Sequence, residues 1–323
     1  HSSEALLVCA ELIRQVNHIN LERKKTITIL FVCRTYDLNN DNNIKNLFNR
    51  DEEHQWKKVE VGKLKEEVVK AVVGSNYDTL THKLKKLLKL PSNLYIWQKL
   101  YKQENDNEVS STYHLVTKWW KQLIRESVQN KLNENDLEQA KFRMIEEFEN
   151  SGELSALSTD LGIHSSTIDF LVSSGFIVKQ DIGTFSVVSF VHQSLYDCFI
   201  AEKMFIRYLK RESVIEVIGG KETQTPARRY QMQMFLQSLY EHSEEQFLST
   251  GNQILKAPSI RFSFKYVFLE LLNQIIEPTD KVKKFILDLV DDERLGVHIV
   301  ANVVQGNREY IQTLRENGLL DKW

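Results

Sequence analysis

The sequence predicts a mainly α-helical protein made of several small domains, and three observations carry that reading. There are 12 Gly and 4 Pro in 323 residues, about 4% and 1% against typical usage of about 7% and 5%. Both residues punctuate turns, so their scarcity predicts long elements with few tight turns, and argues against a β-sandwich or barrel. From Tyr77 onward apolar residues recur mainly at helical spacing. β-rich apolar runs occur only near the start of the chain and around Gly183.

Taken in order, Glu4 to Val16 reads as an amphipathic helix with Leu7, Leu12, Ile13 and Val16 apolar. Thr26 to Val32 (TITILFV) is near-continuously apolar and β-rich, the pattern of a strand buried on both faces of a parallel sheet. Trp56 to Val61 reads as a second, shorter strand, and Leu64 to Val73 as a helix stopped by Gly74. Two strands do not close a doubly wound sheet, so further strands are expected ahead of His1, as is a longer parent polypeptide. Leu80, Leu84, Leu87 and Leu88 mark one helical face, ended by Pro91; Leu94, Trp97, Leu100 and Tyr101 mark another. Gln103 to Thr112 is polar and reads as a loop; Tyr113 to Val128 returns to a helix. Adjacent Trp119 and Trp120 predict one fully buried indole, and Lys83, Lys85, Lys86 and Lys89 a solvated face.

Asp136 to Phe148 is helical. The segment ELSALSTDLGIHSSTIDFLVSSGFIV follows, read as two short helices joined at Gly162, the second ending near Gly175. Ile177–Gln180 and Phe185–Phe190 then form a hairpin around Gly183. Helix–turn–helix plus hairpin wing is a winged-helix domain. After Arg211 the chain reads as helices only, near 229–240, 244–255, 262–276, 281–290, 294–304 and 308–317, with links short enough for antiparallel pairs stacked as a solenoid. The expected domains are 1–74, 75–130, 131–210 and 211–323.

Charge and composition narrow the function. Lys+Arg 42 against Asp+Glu 44 leaves a net charge of −2, so no global field favours nucleic acid. From Glu153 to Val178 there is no Lys or Arg, and the expected recognition helix, Ser166–Ser173, offers Ser, Thr and Asp. A DNA reader needs cations there for phosphates, so the winged helix reads as an internal packing domain. Cys9, Cys33 and Cys198 are odd in number and widely spaced, as for reduced thiols in a cytoplasmic protein. No apolar run approaches the length of a membrane span. His114, His164 and His298 have no Cys or His at ligand spacing, and no metal site is assigned. No Ser–His–Asp or Cys–His arrangement emerges from spacing.

Three segments, in order, carry a family resemblance: TITILFVCRTYDL, ending in Arg34; LLKLPSNLYIWQKL, broken by Pro91; and FSVVSFVHQSLYDCFIAEKM, running through His192 into an aromatic helix. Together they resemble the later part of a STAND NTPase, the signalling ATPase class of NACHT and NB-ARC proteins, with the nearest likeness to bacterial antiviral STAND proteins similar to NOD-like receptors. The likeness spans about residues 1–210, FVHQSLYDCFIAEKM being its most specific piece. HSSEALLVCAELIRQV resembles the helix that follows the Walker B strand. No G-x-x-x-x-G-K-[ST] and no acidic Walker B strand occurs in these residues.

The resemblance implies the second half of a P-loop α/β nucleotide-binding domain, then small helical, winged-helix and solenoid domains. It implies ATP/ADP with Mg as cofactors of the complete protein and oligomerisation on activation, a tetramer being plausible. It further implies a protein ligand such as a phage protein, and an N-terminal effector such as a nuclease, through which alone nucleic acid is met. Arg34 resembles a sensor-1 cation near the γ-phosphate, where a guanidinium stabilises charge in phosphoryl transfer; the alternative is a salt bridge with Asp37. Pro91 resembles the proline packed on adenine; alternatively it only stops a helix. His192 resembles the winged-helix histidine that donates to the ADP β-phosphate, which a neutral imidazole can do; alternatively it is a cap at a strand–helix junction. A scaffold without nucleotide chemistry, or a DNA-binding regulator, are the rival functions.

Overall fold

In a computed structural model, the structure describes residues 3–32, 57, 59–100, 109–275 and 277–322. It is mainly helical, with one small antiparallel sheet, and divides into two compact units, His1–Lys63 and Leu64–Trp323.

The first unit contains one described helix, α1 (Ser3–Glu22). Arg14 pairs with Glu11 one turn away, Nη2 to Oε1 at 2.8 Å, and that hydrogen bond holds the Glu11 carboxyl down at about 2. Of the expected apolar face only Ile13 is buried; Leu7 and Leu12 are exposed. The strand expected at Thr26–Val32 is not formed. These residues join no sheet, and Ile27, Leu30 and Val32 are exposed. A doubly buried strand requires a ladder partner at each edge and a cover on each face. Among the described residues this run has neither, although the Asn20 amide donates to Ile27 O and accepts from Ile27 N. The second expected strand fares likewise: Val59 and Val61 are irregular and exposed, while Trp56 lies outside the described residues. So do Cys33, Arg34, Asp37 and residues 103–108 of the expected polar loop.

The second unit begins with α2 (Glu66–Val73), whose Val69 and Val73 are buried and whose C-cap is Gly74 at φ +75°. Then come α3 (His82–Leu87) and α4 (Pro91–Lys99), with Pro91 at the first helical position, where no amide is required. Ser111 caps α5 (Thr112–Gln129) by accepting from His114 N, and Asn133 caps α6 (Glu134–Ser151). Both tryptophans of α5 are largely buried, Trp119 fully, as expected of one of two adjacent positions, and Trp120 nearly so. The helix is covered on two sides. Trp119 meets Tyr95 of α4 and Phe176, and Trp120 meets Phe176 and Phe199 while its indole N–H donates to Glu138 at 2.6 Å.

Residues 153–161 do not form the first helix expected of that region. Ala156–Leu157 is instead a two-residue strand, β1, followed by a turn through Gly162. Ser and Thr are weak formers of helix interiors, and β1 gains a ladder against Val187 and Val188. After α7 (Ser165–Ser173) come β2 (Ile177–Ile182) and β3 (Phe185–Phe190), paired antiparallel with Ile177 opposite Phe190 and Ile182 opposite Phe185. The sheet order is β1-β3-β2. Gly183, at φ +63°, begins the two-residue hairpin loop, which needs a left-handed residue.

The remainder is helical: α8 (Gln193–Leu209), α9 (Val214–Ile218), α10 (Pro226–His242), α11 (Glu244–Lys256), α12 (Phe262–Asn273), α13 (Asp280–Val290), α14 (Gly296–Ile299, continued by a π turn to Val304) and α15 (Arg308–Glu316). α10 packs against α8, α11 and α12, and α13 against α11 and α15. Gly251 permits the closest of these approaches: a Cβ there would fall inside the ring of Phe268. No helix among the described residues is long and apolar enough to cross a membrane.

Candidate functional site around His192

The junction of β3 and α8 is built on aromatic rings. Phe176, Phe190 and Phe199 stack edgewise or tilted within 6.0 Å of one another, and Trp119 and Trp120 close on Phe176. Each such pair adds about 0.5–1.5 kcal/mol beyond area burial, so this corner is a rigid platform. α8 starts from it. His192 is the N-cap residue, extended at φ −137° and ψ 137°, yet its side chain makes no cap hydrogen bond.

Tyr95 holds the imidazole from the side. Its ring stands edge-on to His192, centroids 5.0 Å apart and planes at 85°. The Tyr95 hydroxyl donates to Gly175 O at 2.9 Å. Gly175, at φ +74°, ends α7, and a Cβ there would meet the Tyr95 hydroxyl oxygen at 2.7 Å and Lys99 Nζ at 3.1 Å. Glycine is therefore needed twice, for its left-handed backbone and for the close approach. Lys99 Nζ lies 5.4 Å from the Tyr95 ring centre, a cation–π placement.

The polar atoms of this corner are under-used. His192 Nε2 and Ser194 Oγ are buried and have no hydrogen-bond partner among the described residues. Such groups normally cost about 1–3 kcal/mol unless something pairs with them. Burial pushes the His192 pKa below its ordinary value, so the ring is neutral at physiological pH and carries a hydrogen on one nitrogen. It sits at the positive end of the 17-residue helix α8, where anions are stabilised.

The sequence-derived residues divide. Pro91 opens α4 and is exposed; Tyr95, one turn on, shares its helical face and touches His192. Arg34 lies outside the described residues. Tyr95 and Lys99 were missed, although their spacing of four and eight from Pro91 places all three on one face of α4. No cluster of three or more His, Cys, Asp or Glu that could hold a metal occurs among the described residues. The chain matches no protein-family model, no curated protein and no solved structure.

Proposed function

We propose that the chain is part of an ATP-dependent signalling switch of the STAND NTPase class, with His192 as the phosphate contact of its resting, ADP-bound state. In this reading residues 1–74 end the nucleotide-binding domain, 75–130 form the small helical domain, 131–210 the winged helix, and 211–323 the α-helical superstructure. The observation that carries the reading is the buried, unpartnered Nε2 of His192, held by Tyr95 beside the helix that Pro91 opens.

When bound, ADP supplies phosphate oxygens that accept hydrogen bonds. His192 meets that need with a neutral N–H donor; the N-terminus of α8 and the Lys99 ammonium add positive potential. Tyr95 and the aromatic platform fix the ring, so little side-chain entropy is lost on binding. Pro91 offers an exposed, rigid apolar ring to the adenine base, and Arg34 a cation to the phosphoryl group during turnover, with Mg accompanying the nucleotide. A switch follows only if each nucleotide prefers a different state. Sensing of a protein ligand, such as a phage protein, by residues 211–323 then releases the winged helix for oligomerisation and effector activation.

The DNA-regulator alternative is disfavoured by the exposed residues of α7, Ser165, Ser166, Asp169 and Ser173, none of them cationic. The test is the rate of ADP release from the complete protein. His192→Ala removes a charge-assisted hydrogen bond of about 1.5–3 kcal/mol, so release should quicken about tenfold or more and basal activity rise. An unchanged release rate would leave a winged-helix and solenoid scaffold as the better reading.

A further inference from the structure

A second unsatisfied polar group, this one a cation, lies elsewhere in the same unit and does not depend on the nucleotide reading. A cavity of about 240 Å³ is lined by Glu149, Ile200, Lys203, Met204, Arg207 and Arg228. Ile200, Lys203, Met204 and Arg207 recur at helical spacing and form one stripe of α8. Glu149 comes from the last turn of α6 and Arg228 from the first turn of α10.

The charges in this cavity do not cancel. Lys203 Nζ bonds Glu149 at 2.5 Å, and Arg207 forks onto Glu212 Oε2 through Nε at 2.9 Å and Nη2 at 2.6 Å. Each of those cations has its carboxylate. Among the described residues Arg228 donates only to neutral acceptors, Gln231 Oε1 at 3.2 Å and Val217 O at 3.3 Å, and its buried Nε has no partner. Burial pulls its pKa down, yet a guanidinium does not deprotonate in proteins, so the site keeps an under-compensated charge. The two neutral contacts fix the plane of the guanidinium, and Arg228 lines the cavity. Ile200 and Met204 exclude water from one wall, which strengthens any charge interaction made there.

The geometry points to a phosphate-binding site: we propose that this cavity takes the phosphate group of a small molecule on Arg228, with Lys203 and Arg207 sharing its remaining oxygens. A carboxylate has two oxygens and is satisfied by one guanidinium fork. A phosphate has three or four, so beyond Arg228 it can share the Lys203 and Arg207 donors with Glu149 and Glu212. Among the described residues lining the cavity, the cation in excess of those carboxylates is Arg228.

The test is titration of inorganic phosphate into the chain, followed by calorimetry and thermal stability, with chloride at matched ionic strength as the control. With His192→Ala as the background, so that the His192 corner contributes no phosphate contact, saturable binding at one site is expected. In that background Arg228→Met should weaken it at least tenfold and Lys203→Gln should weaken it less. Should Arg228→Met fail to fold by circular dichroism, Lys203→Gln decides, because that side chain is exposed and its loss leaves the core intact. Glycerol 3-phosphate binding more tightly than inorganic phosphate would assign the site to a phosphate ester; equal affinity would assign it to free phosphate, and both support the proposal. No saturation beyond the chloride control, or unchanged affinity in Lys203→Gln and any folded Arg228→Met, would overturn it.

Discussion

Two helix N-termini in the same unit are built in opposite ways. Asn307, the cap of α15, uses every polar atom of its side chain. Its Oδ1 accepts from Glu309 N and Tyr310 N, and its Nδ2 donates to Asn273 O and Ile275 O. His192, the cap of α8, makes no cap bond, and among the described residues neither its buried Nε2 nor the Ser194 hydroxyl beside it has a partner. Asn307 ties a loop and two helices together, and its chemistry is spent on the fold. His192 is held in place by rings and has its hydrogen-bonding capacity left over. A polar group positioned at this cost without a structural bond is one available for a ligand.

The contrast can be broken by substitution. The largest effect is expected at the support of the His192 corner. Trp119→Ala removes a ring packed on both Tyr95 and Phe176, and should destabilise the unit by about 4 kcal/mol in chemical denaturation. A loss below about 1 kcal/mol would mean that the platform is not rigid. Next, Asn307→Ala strips a cap and leaves Asn273 O and Ile275 O without that donor, a cost of about 2 kcal/mol. His192→Ala should cost less than that, about 0.5–1.5 kcal/mol, since the edge contact with Tyr95 is lost but no protein hydrogen bond is. Equal losses at the two caps would erase the distinction. Gly175→Ala forces a side chain into a left-handed backbone and against Tyr95, and should cost about 1 kcal/mol or more; a neutral result would free the Tyr95–Gly175 contact from its supposed role.

The smallest effect concerns pH. Burial lowers the His192 pKa from its ordinary value of 6.5. The unfolded chain therefore binds the proton more readily than the folded one. Its contribution is constant above the ordinary value and turns unfavourable as pH falls from there toward the folded pKa. Wild type should lose stability across that window more steeply than His192→Gln. Parallel slopes would place the ring in an environment as wet as the unfolded chain.

Much of the fold is legible in the sequence where one apolar face repeats over several turns. The helices at 112–129, 134–151 and 226–256 emerge near their expected limits, and the 177–190 hairpin follows from β-rich runs around Gly183. Legibility fails where the deciding neighbour is distant. TITILFV has the composition of a buried strand, but an apolar run becomes a strand only beside a partner, and among the described residues it has none. That Trp120 is nearly as buried as its neighbour Trp119 depends on α4 and α8 covering α5 on different sides. At the candidate site, His192 was visible in FVHQS and Pro91 in its own segment. That Tyr95 joins them depends on a contact between residues far apart in sequence, as does the approach of Arg228 to the stripe 200–207 of α8.

The central claim is that the spare nitrogen of His192 is a phosphate donor. Its most direct test is nuclear magnetic resonance of histidine-labelled complete protein during titration with ADP and, separately, adenosine. The account predicts that the His192 Nε2 hydrogen shifts downfield and is protected from exchange with ADP but not with adenosine, and that this signal vanishes in His192→Gln. An Nε2 resonance indifferent to ADP, in protein shown to have bound it, would contradict the account and return His192 to a purely structural place at the head of α8.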